Sequence, residues 1–172
     1  AATDKIPIVG TSITDYATAL DMTDWTGKTG RNITGTSDLA PLAEQAKMIA
    51  ELCPDAKTVG ILYCSAEANS KYQATIVASE LEKLGIASKE YTSADSNDLA
   101  AVTTAACREV DVLYVPTDNM LASNAAIVDS VALPAGIPVV AGEEGICKGC
   151  GIATLSIDYY SIGYNAGLQA YD

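Results

Sequence analysis

The middle of the chain alternates between the apolar pattern of buried strands and the pattern of helices. Residues 58–63 form a continuous apolar run, and a similar strand is predicted over 110–115 before Pro116, as in strands buried on both faces of a parallel sheet. Residues 69–84 carry apolar side chains at helical spacing, and Gly85 then supplies a helix-ending residue. This alternation between strand and helix patterns of apolar residues predicts successive β–α units.

Further segments extend the same order. Residues 86–92 are predicted to form an edge strand, because Lys89 and Glu90 place charge on it. The order continues with a helix that ends at Cys107 after capping residues at 95–98, a helix over 120–131, a turn over 134–138 and a strand over 139–141. The βαβαβαβ order predicts an α/β fold, a doubly wound, Rossmann-like parallel sheet with helices on both faces.

The two ends of the chain carry less of this pattern. Short strands are predicted over 6–11 and 32–35, with a polar Gly/Thr-rich stretch over 21–30 between them. A strand is predicted over 151–157 and a helix over 158–172. These elements are too few for a domain, so we expect them to belong to a neighbouring lobe. The absence of an initial Met and the helical pattern at the last residue predict a piece of a longer protein.

Composition excludes several classes of function. The 172 residues carry 10 Lys and Arg against 22 Asp and Glu, a net charge of −12, and no His. Nucleic acid and anionic membrane surfaces repel such a protein, so we predict no nucleic-acid partner. The missing His excludes Ser-His-Asp and Cys-His catalysis and HExxH zinc sites.

Cysteine and glycine motifs do not indicate a cofactor. Cys147 and Cys150 form a CxxC motif without the further ligands that a zinc site needs, so we predict thiols in a Gly-rich loop, with a local disulfide as the alternative. The segment 27–29 (GKT) resembles the end of a P-loop, but Met22 stands where its first glycine is required. The spacing of the glycines over 145–151 does not match the dinucleotide fingerprint. We predict neither metal nor cofactor.

Polar side chains follow the predicted strands wherever a strand ends. In an open α/β sheet, ligands bind outside the carboxyl ends of the strands. Small hydroxyls, carboxylates and amides occupy five such places, at residues 12–15, 36–38, 64–70, 117–119 and 142–145. Residues of these types also cap helices, and that interpretation stays open for each of them. Their convergence on one edge predicts a small-molecule site.

The predicted site suits an amino acid zwitterion. It holds several carboxylates and neutral donors, with Lys71 as the nearby cation. Asp15, Asp118 or Glu143 suits a ligand ammonium group, and the helix N-terminus that residues 65–70 open suits a ligand carboxylate.

Five segments carry a resemblance to a known family. They are residues 7–15 (PIVGTSITD), 32–38 (NITGTSD), 62–70 (LYCSAEANS), 115–119 (VPTDN) and 140–145 (VAGEEG). In this order they resemble substrate-binding proteins of ABC transporters in the type I periplasmic-binding-protein class. The chain is most similar to the subgroup whose ligands are aromatic amino acids such as tryptophan, phenylalanine or tyrosine.

The resemblance implies a longer, two-lobed protein without catalytic activity or cofactor. Residues 1–38 would end an incomplete first lobe, 39–144 would form a complete second lobe, and 145–172 would cross back, with the crossings as hinges. The implied partners are an amino acid held between the lobes, an ABC permease, and the first-lobe segment that this chain lacks. The implied location is extracytoplasmic, periplasmic or as a lipoprotein, with the signal segment absent from this chain. The family's binding loops correspond to Ser12, Thr14, Asp15, Ser65, Asn69, Ser70, Thr117, Asp118, Asn119 and Glu143.

Two alternatives remain open. The same fold serves as the ligand-sensing domain of regulators. Cofactor-independent amino-acid racemases use a thiol pair, for which Cys64 and either Cys147 or Cys150 would be the candidates. A buried, inert Cys64 is the competing interpretation.

Overall fold

The structure, a computed structural model, describes residues 3–171. These residues form two units: unit 1 holds residues 3–39 and 157–171, and unit 2 holds residues 40–156. The elements in chain order are β1 (Ile8–Gly10), α1 (Tyr16–Ala19), β2 (Ile33–Gly35), α2 (Leu42–Leu52), β3 (Thr58–Cys64), α3 (Ala68–Lys83), β4 (Ala87–Ser93), α4 (Leu99–Cys107), β5 (Val112–Val115), α5 (Asn119–Ala135), β6 (Val139–Ala141), α6 (Glu144–Cys150), β7 (Ala153–Thr154) and α7 (Tyr159–Tyr171).

Unit 2 is built on a parallel sheet of five strands in the order β4-β3-β5-β6-β7. From β3 the chain first adds β4 on one side and then β5 on the other, so the winding direction reverses between β3 and β5. This is the topological switch point at which open α/β sheets bind ligands. The predicted doubly wound parallel sheet is therefore confirmed.

Two hydrophobic clusters cover the two faces of this sheet. Successive side chains of a strand point to opposite faces, and accordingly Ile61 packs in one cluster and Leu62 in the other. Helices α2 and α3 cover the first face, where Ile49 and Leu81 are fully buried. Helices α4, α5 and α6 cover the second face. Burial on both faces explains why β3 and β5 read as continuous apolar runs.

The strand β4 lies at an edge of the sheet, as its charged residues predicted. Lys89 and Glu90 are exposed, and β4 pairs only with β3 among the described strands. Negatively and positively charged side chains on an edge discourage pairing with another chain.

Helix α6 corrects the prediction of a Gly-rich loop around the CxxC motif. Cys147 and Cys150 lie within α6, which spans Glu144–Cys150. The Glu143 side chain caps this helix by accepting the N–H groups of Gly145 and Ile146. Gly149 lets the helix approach α5, because a Cβ there would meet the Cβ of Ala125 at 2.4 Å. The helix therefore forms through its capping side chain and its close packing against α5, although the sequence shows no helical periodicity there.

The predicted turn over 134–138 is also wrong at its start. Helix α5 continues through Pro134 to Ala135 and ends at Gly136, which has a φ of 70°. Such left-handed geometry is the usual glycine helix end, and it costs an L-residue more. Helix α5 bends earlier, at Asn124, where the φ of −129° is not helical.

The capping prediction at 95–98 is only half right. Asp98 occupies the N-cap position of α4 but makes no side-chain bond to that helix. Its carboxylate accepts from the Ala94 backbone N–H at 3.3 Å instead, and Asp95 accepts from Asn97 N–H at 2.7 Å. These carboxylates stabilise the loop rather than the helix.

Besides α6, the helices α1 and α2 were not predicted, and α2 is the longer of these two. Its buried residues Leu42, Gln45, Ala46 and Ile49 follow helical spacing, so the signal was present in the sequence. Helix α1 has four residues, with Asp15 as its cap, which is too short for a periodic signal.

Unit 1 contains the parallel pair β1–β2 with helices α1 and α7. Gly35 has a φ of 147°, and a Cβ on it would lie 1.9 Å from the Gly10 carbonyl oxygen, so only glycine is compatible with this pairing. The helix α7 buries Ala166 and exposes Tyr160, Tyr164 and Leu168.

Unit 2 runs to Ser156, past the boundary at residue 144 that we expected for the second lobe. The physical reason is pairing, since β7 adds to β6 with Ala141 opposite Thr154. The assignment of the chain's parts to two lobes stays a prediction.

Candidate functional site

Several predicted site residues meet at the switch point of unit 2. The loops after β3 and β5 are neighbours there because the two strands pair directly. The Thr117 carbonyl accepts hydrogen bonds from Ser70 Oγ at 3.3 Å, Asn69 Nδ2 at 3.3 Å and Gln73 Nε2 at 3.0 Å. Gln73 is an addition that sequence reasoning missed. The Thr117 hydroxyl oxygen is buried and has no hydrogen-bond partner among residues 3–171.

Asp118 holds two elements together at the same place. One carboxylate oxygen accepts from Leu121 N at 2.9 Å and caps α5, and the other accepts from Cys64 N at 2.7 Å at the end of β3. The residue is 1% exposed. Burial raises the pKa of this carboxyl, and the hydrogen bonds from Leu121, Cys64 and Ser70 act in the opposite direction. Both oxygens are therefore engaged within the protein.

Glu67 accepts several hydrogen bonds at this edge of the sheet, although the sequence analysis did not place it among the site residues. Its side chain accepts from Asn119 N at 3.1 Å, Met120 N at 2.9 Å, Asn119 Nδ2 at 2.9 Å and Asn69 Nδ2 at 3.3 Å. Although burial acts to raise its pKa, these hydrogen bonds lower the pKa below the usual value. A carboxylate that precedes one helix thus binds the first two N–H groups of another, α5. No local signal in the sequence gives that pairing.

The N-terminus of α3 differs from those of α5 and α6. Its N-cap residue, Glu67, makes no side-chain bond to α3, and the first turn contains no acidic residue. In α5 the corresponding N–H groups are bound by Glu67 and Asp118, and in α6 by Glu143. Uncapped N–H groups and the helix dipole together attract an anion.

Glu143 lies at the end of the next strand, as a cap rather than as an open carboxylate. It is 8% exposed and accepts from Gly145 N at 2.7 Å and from Ile146 N. Gly142 before it allows β6 to approach the β5 loop, because a Cβ there would lie 2.7 Å from Thr117 N. Buried Gln45 fixes this loop by donating to the Gly142 carbonyl at 3.0 Å.

Two predicted residues of unit 2 are exposed at the same edge. The Ser65 hydroxyl and backbone N–H both donate to the Ser93 carbonyl, at 3.3 and 2.9 Å. Asn119 is exposed and bonded to Glu67.

Ser12, Thr14 and Asp15 lie in unit 1, in the loop after β1. Ser12 has a φ of 55°, a left-handed conformation that is uncommon outside glycine and often marks functional loops. Asp15 caps α1 by accepting from Thr18 N and Thr18 Oγ1, both at 2.7 Å. Thr14 is 8% exposed, and its carbonyl accepts from the Ser37 hydroxyl at 3.0 Å, which joins this loop to the loop after β2.

Asp38 completes the loop after β2. It is 6% exposed, and burial raises the pKa of its carboxyl, against hydrogen bonding from Thr14 and Tyr159. One oxygen accepts from the Tyr159 hydroxyl at 3.5 Å, and the other, Oδ1, is buried without a partner among the described residues. Sequence reasoning had placed Asp38 in a strand-end segment but not among the binding residues.

The thiols give no support to the racemase alternative. Cys64 is 3% exposed, and its thiol donates to the Ala94 carbonyl at 3.7 Å. Burial raises the pKa of Cys150 to about 12, so this thiol is protonated at neutral pH. Across residues 3–171, no group of three or more Cys, Asp or Glu side chains is arranged to hold a metal ion.

Comparison with known proteins gives relatives with amino-acid ligands. The tyrosine-binding protein of Clostridioides difficile (strain R20291) is 35% identical over 166 residues, which cover 96% of this chain and 48% of that protein. The crystal structure of an ABC domain from Streptococcus pneumoniae in complex with L-Trp is 30% identical with a TM-score of 0.91, covering 99% of this chain and 59% of that one. The open, ligand-free structure of a substrate binding protein with adhesive properties from Clostridium difficile is 34% identical with a TM-score of 0.71, covering 99% and 57%.

These relatives extend beyond the chain, which spans about half the length of the curated relative that it matches. The family model for ABC transporter substrate binding proteins matches residues 1–172. The family that the sequence resembles is therefore confirmed by the family model over the whole chain and by the similarity of fold, and the chain belongs to the ABC transporter substrate binding proteins.

Proposed function

We propose that this chain is part of an extracytoplasmic solute receptor that binds an amino acid and delivers it to an ABC permease, without itself catalysing a reaction. The ligand is an aromatic amino acid. Support comes from two relatives: one is a tyrosine-binding protein at 35% identity, and the other is an ABC domain in complex with L-Trp at 30% identity. Membership of the family supports the extracytoplasmic location, with a signal segment and a lipid anchor or periplasmic release as parts of the same proposal.

The observation that carries the proposal is the uncapped N-terminus of α3 at the switch point. The α-carboxylate of the ligand would accept from the first-turn N–H groups of α3, at residues 68–70. The Thr117 hydroxyl, which has no partner among the described residues, is the neighbouring donor, and Ser65 lies at the same edge with its hydroxyl bound to the Ser93 carbonyl. The capped helices α5 and α6 offer no comparable anion site, because carboxylates already bind their first N–H groups. This edge of the sheet would be held in shape by Asn69, Ser70, Asn119, Asp118 and Glu143.

Between residues 3 and 171, no helix combines the length and the apolar content that crossing a bilayer requires.

The test is a ligand screen on the full-length protein by isothermal titration calorimetry and thermal shift. We expect saturable binding of L-tryptophan or L-tyrosine with a raised melting temperature, since a ligand that binds only the folded state stabilises it. The other amino acids, a hexose and a nucleoside serve as competitors. Tight binding of the sugar or nucleoside with no response to any amino acid would overturn the proposal.

A further inference from the structure

Two cysteines of unit 2, Cys147 and Cys150, play no part in the function proposed above. They lie three residues apart in α6, and residues at this spacing are neighbours on the surface of a helix, with Cβ atoms about 5–6 Å apart. Both thiols are free and half-buried, packed against the hydrophobic cluster on the second face of the sheet. Neighbouring free thiols that solvent can reach form a site for oxidation.

The two side chains are directed toward each other along the helix. Cys150 Sγ donates to the Ile146 carbonyl at 3.4 Å, one turn toward the start of α6. Cys147 Sγ lies in the opposite direction, near Gly151, where an added Cβ would be 3.2 Å from the sulfur. The sulfur atoms therefore share one face of α6 between residues 146 and 151.

The end of α6 contains the residues that a change of this turn requires. A disulfide needs Cβ atoms about 3.5–4.5 Å apart, so the last helical turn must tighten before the two sulfur atoms can bond. Gly149 between the cysteines and Gly151 after them are conformationally permissive. Gly151 already has an extended conformation, with a φ of −95° and a ψ of 152°. The hydrogen bond from Gly151 N to the Cys147 carbonyl, at 2.9 Å, closes the turn that would change.

Packing around this turn opposes the disulfide. Gly149 is in close contact with α5, because a Cβ there would lie 2.4 Å from Ala125 Cβ. Directly after the turn, Ile152 N donates to the Val139 carbonyl at 2.8 Å, where the pairing of β7 with β6 begins. Tightening the turn pulls on this pairing and breaks the hydrogen bond of the Cys150 thiol. Strained disulfides are easily reduced, and such disulfides are the labile or regulatory ones.

We propose that Cys147 and Cys150 are a reversible redox pair, which a disulfide oxidant such as oxidised glutathione closes into a local disulfide while the last turn of α6 unwinds. The deprotonated Cys147 sulfur attacks one sulfur of the oxidant, and one glutathione leaves as its thiolate. The Cys150 sulfur then gives up its proton and attacks the Cys147 sulfur, which releases the second glutathione. The two electrons and two protons that the cysteines lose are therefore carried by the two glutathione thiols.

The surroundings of the two thiols set the order of these steps. Burial raises the pKa of both thiols, and the Glu143 carboxylate contributes to both shifts. The pKa of Cys150 reaches about 12, which leaves Cys147 as the sulfur that attacks first. A small thiolate population makes the oxidation slow, so we expect it to take hours.

Trypsin provides a direct test, because Lys148 stands between the two cysteines. Cleavage after Lys148 places Cys147 and Cys150 on separate fragments, which stay together only if a disulfide joins them. The folded, reduced protein is incubated with oxidised glutathione, blocked with N-ethylmaleimide, denatured and digested. We expect mass spectrometry to find the two fragments joined. Reduced glutathione in excess, added before the maleimide, should return them to separate fragments.

Two variants separate this pair from general thiol oxidation. Cys150→Ser removes the second sulfur, so glutathione should remain bound to Cys147. Cys107→Ser is the matched control, since Cys107 is a half-buried free thiol at the end of another helix, α4, and this variant should still give the joined fragments. The inference is overturned by fragments that stay separate in the wild type, by glutathione that persists on wild-type Cys147, or by a disulfide to any other cysteine. Joined fragments that reduced glutathione does not separate also overturn it.

Hydrogen exchange on the wild-type protein tests the change in α6 without any substitution. The N–H groups of Gly151 and Ile152 are bonded to the Cys147 and Val139 carbonyls in the reduced protein. Because closure of the disulfide disturbs both bonds, we expect these N–H groups to exchange about 10-fold faster in the oxidised protein. The N–H groups of β3, inside the sheet, are the internal reference and should not change. Equal exchange of Gly151 and Ile152 in the two states would contradict the unwinding of the turn.

Discussion

Glu67 is expected to stabilise unit 2 by joining the start of α3 to the start of α5, and Glu67→Gln tests this. The amide keeps one acceptor oxygen and replaces the other with an NH₂ group that cannot accept. Because Asn119 and Met120 donate their N–H groups to different oxygens, at least one of these helix N–H groups loses its acceptor. The loss of the charge also removes a favourable interaction with the α5 dipole.

The magnitude follows from these contacts. A hydrogen bond to a charged group contributes about 1.5 kcal/mol at the low end of its range, which suits a half-buried side chain, and the dipole adds about 0.5 kcal/mol. We expect a loss of about 2 kcal/mol in the free energy of unfolding, or roughly 5–10 °C in melting temperature for a unit of this size. Circular dichroism and urea unfolding measure both quantities. Glu82→Gln is the matched control, since Glu82 is exposed on the same helix, α3.

The pH dependence gives the same experiment a second, independent outcome. Hydrogen bonds hold the pKa of Glu67 below its unfolded value, so its stabilisation is complete above the unfolded pKa of about 4.3. It disappears as the pH falls through the lower folded pKa. The stability difference between wild type and Glu67→Gln should therefore be full at neutral pH and narrow in acid. Equal melting of Glu67→Gln and Glu82→Gln at neutral pH would refute the reasoning, and so would a difference that persists unchanged in acid.

Two further substitutions test the same edge of the sheet and its support. Asp118→Ala leaves the N–H groups of Leu121 and Cys64 without acceptors, so we expect a loss of about 2–4 kcal/mol in unfolding free energy together with weaker ligand binding. Unchanged ligand affinity in calorimetry would show that the switch point does not form the site. Tyr114→Phe removes the hydroxyl that donates to buried Gln45 Oε1 at 2.5 Å, and urea unfolding should show a loss of about 1–3 kcal/mol in the free energy of unfolding. An unchanged unfolding midpoint would mean that Gln45 finds another donor.

Much of the fold could be predicted because burial leaves a direct trace in the sequence. The strands β3 and β5 are buried on both faces and therefore consist almost entirely of apolar residues. Helix α2 carried an equally clear trace at Leu42, Ala46 and Ile49, and it was missed although the signal was available. Helix α6 carried none, because glycines at positions 145 and 149 disfavour a helix locally. Its formation depends on the Glu143 cap and on close packing against Ala125.

The sequence by itself determined which polar side chains follow the strands of the two sheets. Strand order and polar strand ends indicated where hydroxyls, amides and carboxylates collect, and five segments indicated the family, which the comparisons confirm. The sequence could not determine the state of each carboxylate, since Asp15, Asp38, Asp118 and Glu143 look alike as strand-end residues. Only the tertiary structure decided which of them face backbone N–H groups of a helix and which keep a free oxygen. The reason is physical, because the donors that satisfy a buried carboxylate come from segments far apart in the chain.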